Sequence, residues 1–176
     1  CPPRITCKWF KFCYFNSIAI ACLKARKEVA DIGKVAIIDF DCHHGNGTED
    51  IVLGNQDFLY LSLHQSPLYP GTGLKSRDNC INFPVSSGTG PDRYLSVLGE
   101  GIKAAEEFNP DLLAISAGFD SYKLDPIAGL SLEQETYAEI GRMLSGLNKP
   151  TFAVLEGGYS RDLPECVYQF LTGLEG

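Results

Sequence analysis

Residues 35–48 read Val-Ala-Ile-Ile-Asp-Phe-Asp-Cys-His-His-Gly-Asn-Gly-Thr, and the two halves of this stretch ask for different surroundings. Val35, Ala36, Ile37 and Ile38 form a continuous apolar run rich in β-branched residues, the pattern of a strand buried on both faces. The composition then turns abruptly polar. Side chains alternate along an extended chain, so Asp39, Asp41 and His43 are expected on one side while the strand, expected over 35–41, lasts. Two carboxylates and an imidazole on one side of a strand end make half of a metal site. Gly45 and Gly47 are expected to let the backbone turn tightly beside it. Taken alone, the triplet also fits the start of a polar loop, with Asn46-Gly47 as its turn.

The rest of the chain narrows that choice. At 176 residues and 44% hydrophobic, the sequence describes one globular domain over residues 1–176. No apolar run approaches the roughly 20 residues a membrane span needs. The seven cysteines are scattered, odd in number and never spaced as CxxC, so reduced thiols and a cytoplasmic setting are expected. A net charge of −7 argues against direct binding of nucleic acid through a bulk positive field.

In chain order, Asn16 is placed as the N-cap of a mostly buried helix over 18–30 that Gly33 stops. After the first strand come apolar runs at 58–64 and 80–85, separated by the Pro- and Gly-rich loop QSPLYPGTG. Leu95, Leu98, Ile102 and Ala105 recur at helical spacing within 92–108. A fourth strand, 112–117, ends in Gly118-Phe119-Asp120. Ser131 and Gln134 are expected to form a capping box ahead of Tyr137, Ile140, Leu144 and Leu147. A fifth strand, 151–155, ends in Glu156-Gly157-Gly158-Tyr159, and a last helix covers about 163–174. Apolar strands alternating with amphipathic helices predict an α/β fold, a three-layer α/β/α sandwich around a mainly parallel sheet.

Ligands of such sheets gather at the carboxyl ends of strands. Three ends carry chemistry here: Asp41 with His43, Asp120, and Tyr159. Asp41, His43 and Asp120 offer two oxygens and a nitrogen with positions left open, the donor set of a catalytic zinc site. The Tyr159 phenol, on a Gly-Gly turn, suits donation to a developing oxyanion. Asp39 reads as a neighbour that orients a ligand. His44 and His64 read as satisfied structural histidines, and Cys13 and Cys42 as small buried thiols near the site.

The segments DFDCHHGNGT, SAGFDSYKLDP and EGGY, with FCYFN before them and LHQSPLYPGTG between, resemble the signature segments of the zinc-dependent histone deacetylases and acetylpolyamine amidohydrolases. The resemblance runs over about residues 12–176 and implies an arginase–deacetylase fold lacking the family's N-terminal part. It implies Zn2+ on Asp41, His43 and Asp120, and Tyr159 polarising the substrate carbonyl. It implies that Phe12 and Tyr69 wall a tunnel for an acylated amine. Asp39, Asp41 and His43 with Ser62 and Leu63 would form an inner structural K+ site, and Asn46 would support a catalytic histidine.

The family carries its general acid/base on a His-His pair shortly before the FCYFN-like segment. Here residues 1–11 are atypical, Cys1-Pro2-Pro3-Arg4-Ile5-Thr6-Cys7 stands in that region, and no histidine precedes His43. A positioned acid is worth about 10²–10⁴-fold in rate. Two functions are therefore expected. The first is a zinc-dependent deacetylase of acetylated lysine or polyamine-type amines, slowed by the missing pair. The second is an inactive, metal-binding relative that holds an acylated ligand or a protein partner. A shortened or altered start to the domain leaves a sheet edge uncovered, where pairing with a second copy is expected.

Overall fold

The structure, a computed structural model, describes residues 15–176. Five strands, β1 (Val35–Asp39), β2 (Phe58–Gln65), β3 (Cys80–Val85), β4 (Leu112–Ala117) and β5 (Thr151–Leu155), form one sheet in the order β3-β2-β1-β4-β5. Every ladder between them is parallel. The helices are α1 (Ser17–Glu28), α2 (Asn46–Val52), α3 (Pro91–Phe108), α4 (Gln134–Ser145) and α5 (Leu163–Glu175).

Alternation along the strands sorts the core into two. Ala36, Ile38, Leu59, Leu61, Leu113 and Ile115 point to one face, where Tyr94 and Leu98 of α3, Tyr137 and Ile140 of α4, and Phe170 of α5 cover them. Val35, Ile37, Phe58, Tyr60, Leu112 and Ala114 point to the other, under Ile18 and Cys22 of α1 and Val52 of α2. Both faces of β1, β2 and β4 are buried at every position, which is why these strands are unbroken apolar runs. The expected three-layer α/β/α fold is what forms. On the α3–α5 face, a Cβ at Gly141 would overlap the Phe170 carbonyl and one at Gly173 the Ala138 carbonyl, so α4 and α5 cross backbone to backbone.

Four local expectations are corrected. The first strand ends at Asp39 rather than residue 41, because the Asp39 carboxylate accepts the Asp41 amide (3.1 Å) and bends the chain out of the ladder. Residues 46–52 form helix α2 instead of a turn, with Gly45 at φ −78° as its N-cap. Gly45 is needed for proximity: a Cβ there would overlap the Asp39 carboxylate and the Tyr60 hydroxyl. The capping box of α4 is Glu133 with Thr136, two residues on from the Ser131/Gln134 pair, since Ser131 and Leu132 are held by backbone bonds to Thr89 and Ser121. Asn16 does cap helix α1, its side chain accepting the Ala19 amide (2.8 Å), but the helix runs from Ser17 to Glu28 and buries only Ile18, Ala19 and Cys22.

Cys22, Cys42, Cys80 and Cys166 are buried free thiols. Among the described residues no helix is long and apolar enough to cross a membrane.

Candidate metal centre

The parallel register sets Asp39 beside Ser62 of β2 and Ser116 of β4, so the loops leaving β1 and β4 emerge side by side at the carboxyl end of the sheet. An aromatic cluster fixes their height. Phe40 and Phe119, each one residue before a candidate ligand, meet edge to face with centroids 5.7 Å apart, and Phe170 and Tyr137 pack around them. Two buried tyrosines hold the backbone as well. Tyr94 of α3 donates to the Phe40 carbonyl (3.3 Å), and Tyr137 of α4 donates to the Phe119 carbonyl (3.1 Å).

Asp41, His43 and Asp120 converge on this support. His43 Nδ1 lies 3.0 Å from Asp41 Oδ1 and 2.9 Å from Asp120 Oδ2. The outer lobes of the carboxylates are tied down: Asp41 Oδ2 accepts the Gly157 amide (2.8 Å) and Asp120 Oδ1 accepts the Cys42 amide (2.9 Å). Asp120 is fully buried, and apart from the His43 contact its Oδ2 has no hydrogen-bond partner among the described residues. A Cβ at Gly157 would overlap both carboxylates and one at Gly118 would overlap Asp41, so the centre closes only around glycine. Asp39 braces Asp41 from behind, its Oδ2 accepting the Tyr60 hydroxyl (2.8 Å).

The charge balance calls for a cation. Hydrogen bonding to Asp120, and then to Asp41, pushes the His43 imidazole up to about 10. Burial, with Asp41 alongside, raises Asp39 well above the usual carboxylate range. Burial also raises Asp41, while the His43 bond opposes it and Asp120 adds to it. Either a proton on His43 or a metal ion satisfies such a set, and binding a metal releases the proton. The donor set, the orphaned Asp120 oxygen and the glycine cradle all fit a divalent ion. Cys42 Sγ is 3.2 Å from His43 Nδ1, yet burial and the two carboxylates push its thiol up, so it sits there as a neutral neighbour.

A cleft of about 380 Å³ opens over these residues. Asp39, Asp41, His43 and Ser116 reach its floor, and Tyr69, Tyr159, Phe15, Ile127, Leu155 and Glu156 stand around it. Tyr159 is 54% exposed, with its phenol raised by partial burial and by Asp120 and Asp41, so it is a protonated donor at the rim. Ser62 is buried beside the β1 end and bonds His64, and Leu63 points into the core on the α3–α5 side. Asn46 opens α2, with a buried side-chain oxygen that has no partner among the described residues. Tyr69 lines the cleft on the loop after β2, whereas Phe12 lies outside the described residues.

His44 and His64 are buried and hydrogen-bonded at both ring nitrogens. His44 Nε2 donates to Glu49 (3.0 Å) and its Nδ1 accepts from Thr72 (2.8 Å). His64 Nε2 donates to the Gly73 carbonyl (3.1 Å) and its Nδ1 accepts from Ser62 (3.0 Å).

Two residues enter the site without having been singled out. Asp125, buried, accepts the Tyr159 amide on Oδ2 (2.7 Å) and the Ile127 amide on Oδ1 (2.9 Å), tying two walls of the cleft together. Glu156 accepts from Ser116 Oγ (2.9 Å) at the rim. Asp125 stands in SAGFDSYKLDP and Glu156 in EGGY, and membership of those segments was the one signal that could have marked them.

The chain has relatives of known name. The family model "Histone deacetylase domain" matches residues 7–174, and the chain belongs to that family. A protein of Methanothermobacter thermautotrophicus named "Probable deacetylase" is 39% identical over 176 residues, covering 94% of this chain and 53% of that protein. Acetylpolyamine amidohydrolase 1 of Pseudomonas aeruginosa is 35% identical over 159 residues, covering 85% of this chain and 45% of its own length. The crystal structure of an acetylpolyamine aminohydrolase from Burkholderia pseudomallei superposes with a TM-score of 0.88 at 30% identity, over 94% of this chain and 51% of that one. The chain thus spans about half the length of the relatives it matches.

Proposed function

We propose that the chain carries the metal-binding centre of a zinc-dependent deacetylase, acting on the acyl amide of a lysine-like or polyamine-type nitrogen. The observation that carries this reading is the convergence of Asp41 Oδ1, His43 Nδ1 and Asp120 Oδ2 under an open cleft. Bound there by those three residues, zinc would supply a Lewis acid for water and the acyl carbonyl. Tyr159 would donate its phenolic proton's hydrogen bond to the carbonyl oxygen as negative charge develops on it. Asp125 would hold the Tyr159 backbone in place, and Tyr69, with Phe12, would flank the acyl chain. Asp39, Asp41 and His43 with Ser62 and Leu63 would cradle a structural K+ behind the centre, and the buried Asn46 oxygen would accept from a partner histidine. Buried reduced thiols fit a cytoplasmic setting.

Hydrolysis breaks the C–N bond, and the amine leaves with a proton that a positioned acid must deliver. The sequence holds three histidines. His43 belongs to the centre, and His44 and His64 have both ring nitrogens engaged. That engagement leaves no histidine of residues 1–176 assigned to proton delivery; the second reading is a metal-holding domain that binds an acylated ligand or a protein partner.

The experiment quantifies bound metal in purified protein and assays it on a fluorogenic acetyl-lysine peptide, beside Asp120→Ala and Tyr159→Phe. Turnover lost in both variants supports the deacetylase. Stoichiometric zinc without turnover moves the second reading in front. Protein that takes up no metal refutes both.

A further inference from the structure

His43 Nδ1 has more neighbours than one hydrogen can serve. Asp120 Oδ2 (2.9 Å), Asp41 Oδ1 (3.0 Å) and Cys42 Sγ (3.2 Å) all crowd it, and a ring nitrogen carries at most one hydrogen. The sulfur is as firmly placed as the two oxygens. Cys42 is fully buried, its amide donates to Asp120 Oδ1 (2.9 Å), and its carbonyl accepts the Gln65 amide (2.9 Å). The chain bends over residues 41–43, so side chains there no longer alternate between faces, and three consecutive ones reach the same point.

Four donor atoms, one each from Asp41, Cys42, His43 and Asp120, lie within 4.8 Å of one another. Among the described residues no other group of three or more His, Cys, Asp and Glu side chains gathers as closely. Asp120 Oδ2, in a side chain with no exposed surface, has no hydrogen-bond partner there beyond His43. The other nearby carboxylates are engaged: Asp39 accepts from the Asp41 amide and from Tyr60, and Glu156 accepts from Ser116. We propose that Cys42 Sγ is a fourth ligand of the centre, bound as a thiolate, so that Asp41, Cys42, His43 and Asp120 together enclose a zinc-class ion. Two carboxylate oxygens, a nitrogen and a sulfur make up the number a tetrahedral site needs. Without an ion the thiol is the neutral neighbour described above. Ligation exchanges its S–H bond for a sulfur–metal bond, and the proton leaves to solvent through the cleft. Sulfur also narrows the choice of ion, favouring Zn2+ over the harder Mn2+. A centre closed in this way admits water or an acyl carbonyl only when the thiolate is displaced or a fifth position opens. The inference rests on the metal centre of the deacetylase reading and adds one donor to it.

The test loads the full chain with equimolar Zn2+ and reads the neighbours of the metal by X-ray absorption. A sulfur shell at about 2.3 Å, beside nitrogen and oxygen at about 2.0 Å, is expected in the wild type. The sulfur shell should vanish in both Cys42→Ser and Cys42→Val. The second variant is included because a buried hydroxyl could by itself disturb the fold, and circular dichroism checks that each is folded. Losing the ligand should weaken Zn2+ binding at least about tenfold, the lower end of what even the outer partners of a metal site contribute. Mn2+ binding should weaken far less. Zn2+ held by nitrogen and oxygen alone in the wild type overturns the inference and leaves the three-ligand centre standing. A sulfur shell that persists in a folded Cys42 variant overturns it too, since the sulfur then belongs to another cysteine. Wild-type protein that takes up no Zn2+ removes the centre itself, and the deacetylase reading with it.

Discussion

Acid should weaken this fold through His64 as the pH falls from 6.5 to about 4. His64 is 1% exposed and packs 4.7 Å, centroid to centroid, from His44. Burial, with the neighbouring His44 adding to it, lowers its imidazole from 6.5 to about 4. Its hydrogen bonds suit the neutral ring, which donates from Nε2 to Gly73 and accepts on Nδ1 from Ser62. In the unfolded chain the ring takes up a proton below pH 6.5, whereas in the folded chain it resists until about pH 4. The unfolded state thus binds more protons across that window, and stability falls as pH drops through it, levelling off below about 4. At about 1.4 kcal/mol per pH unit, the gap is worth roughly 3 kcal/mol, a large share of a typical domain's stability. Asp39, raised by burial, works in the opposite sense and gains stability as pH falls, so the wild-type curve is a sum. The informative quantity is the difference between wild type and His64→Gln, which keeps an amide donor toward Gly73 and cannot titrate. Urea unfolding followed by far-UV circular dichroism at pH 7, 6, 5 and 4 gives both curves. The wild type should lose about 3 kcal/mol relative to the variant between pH 7 and 4. Parallel curves would refute the assignment of a buried neutral His64.

Three further outcomes follow from other contacts. Asp125→Asn removes the charge from the acceptor shared by the Tyr159 and Ile127 amides. It should cost about 1.5–3 kcal/mol in unfolding experiments, and on an active preparation it should lower kcat more than it raises KM. Gly157→Ala forces a methyl into the Asp41 and Asp120 carboxylates. It should destabilise the fold by about 1–3 kcal/mol and weaken zinc uptake measured by calorimetric titration; unchanged uptake would mean the carboxylates are not clamped where the structure puts them. Asn16→Ala removes both the cap on Ala19 and the bond to Thr48 Oγ1 that joins α1 to α2. It should lower stability by about 1 kcal/mol and speed amide exchange at residues 17–20.

The sheet was legible because burial on both faces leaves a plain mark. The strands at 35–39, 58–65 and 112–117 are runs that a solvated segment would not tolerate, and the outer strands at 80–85 and 151–155 were found by their shorter apolar runs between loops. The centre was legible for a related reason: Asp41, His43 and Asp120 lie at strand ends, where register does the work of bringing distant residues together. Contacts that register does not dictate stayed hidden. Asp125 reaches Tyr159 across 34 residues of sequence through one backbone amide, and a backbone donor has no residue type to read. Helix α2 was hidden because Gly45 and Gly47 resemble turn chemistry, while Tyr60, on a different strand, is what makes Gly45 necessary. The capping box of α4 slipped by two residues because Ser131 satisfies the sequence pattern but spends its backbone amide on Thr89.

The close crossing of α4 and α5 ties the far end of the molecule to the rim of the cleft. With backbones touching at Gly141 and Gly173, the two helices have no side-chain cushion between them and shift as one body. Gly173 lies ten residues along α5 from Leu163, roughly 15 Å at 1.5 Å per residue. Leu163 in turn packs under Gly158, whose φ of +133° sets the turn into Tyr159. A methyl group added at Gly173 therefore acts as a wedge at the long end of a lever, and the displaced end carries the phenol. Variation at this crossing tunes where Tyr159 points without altering any residue that faces the cleft.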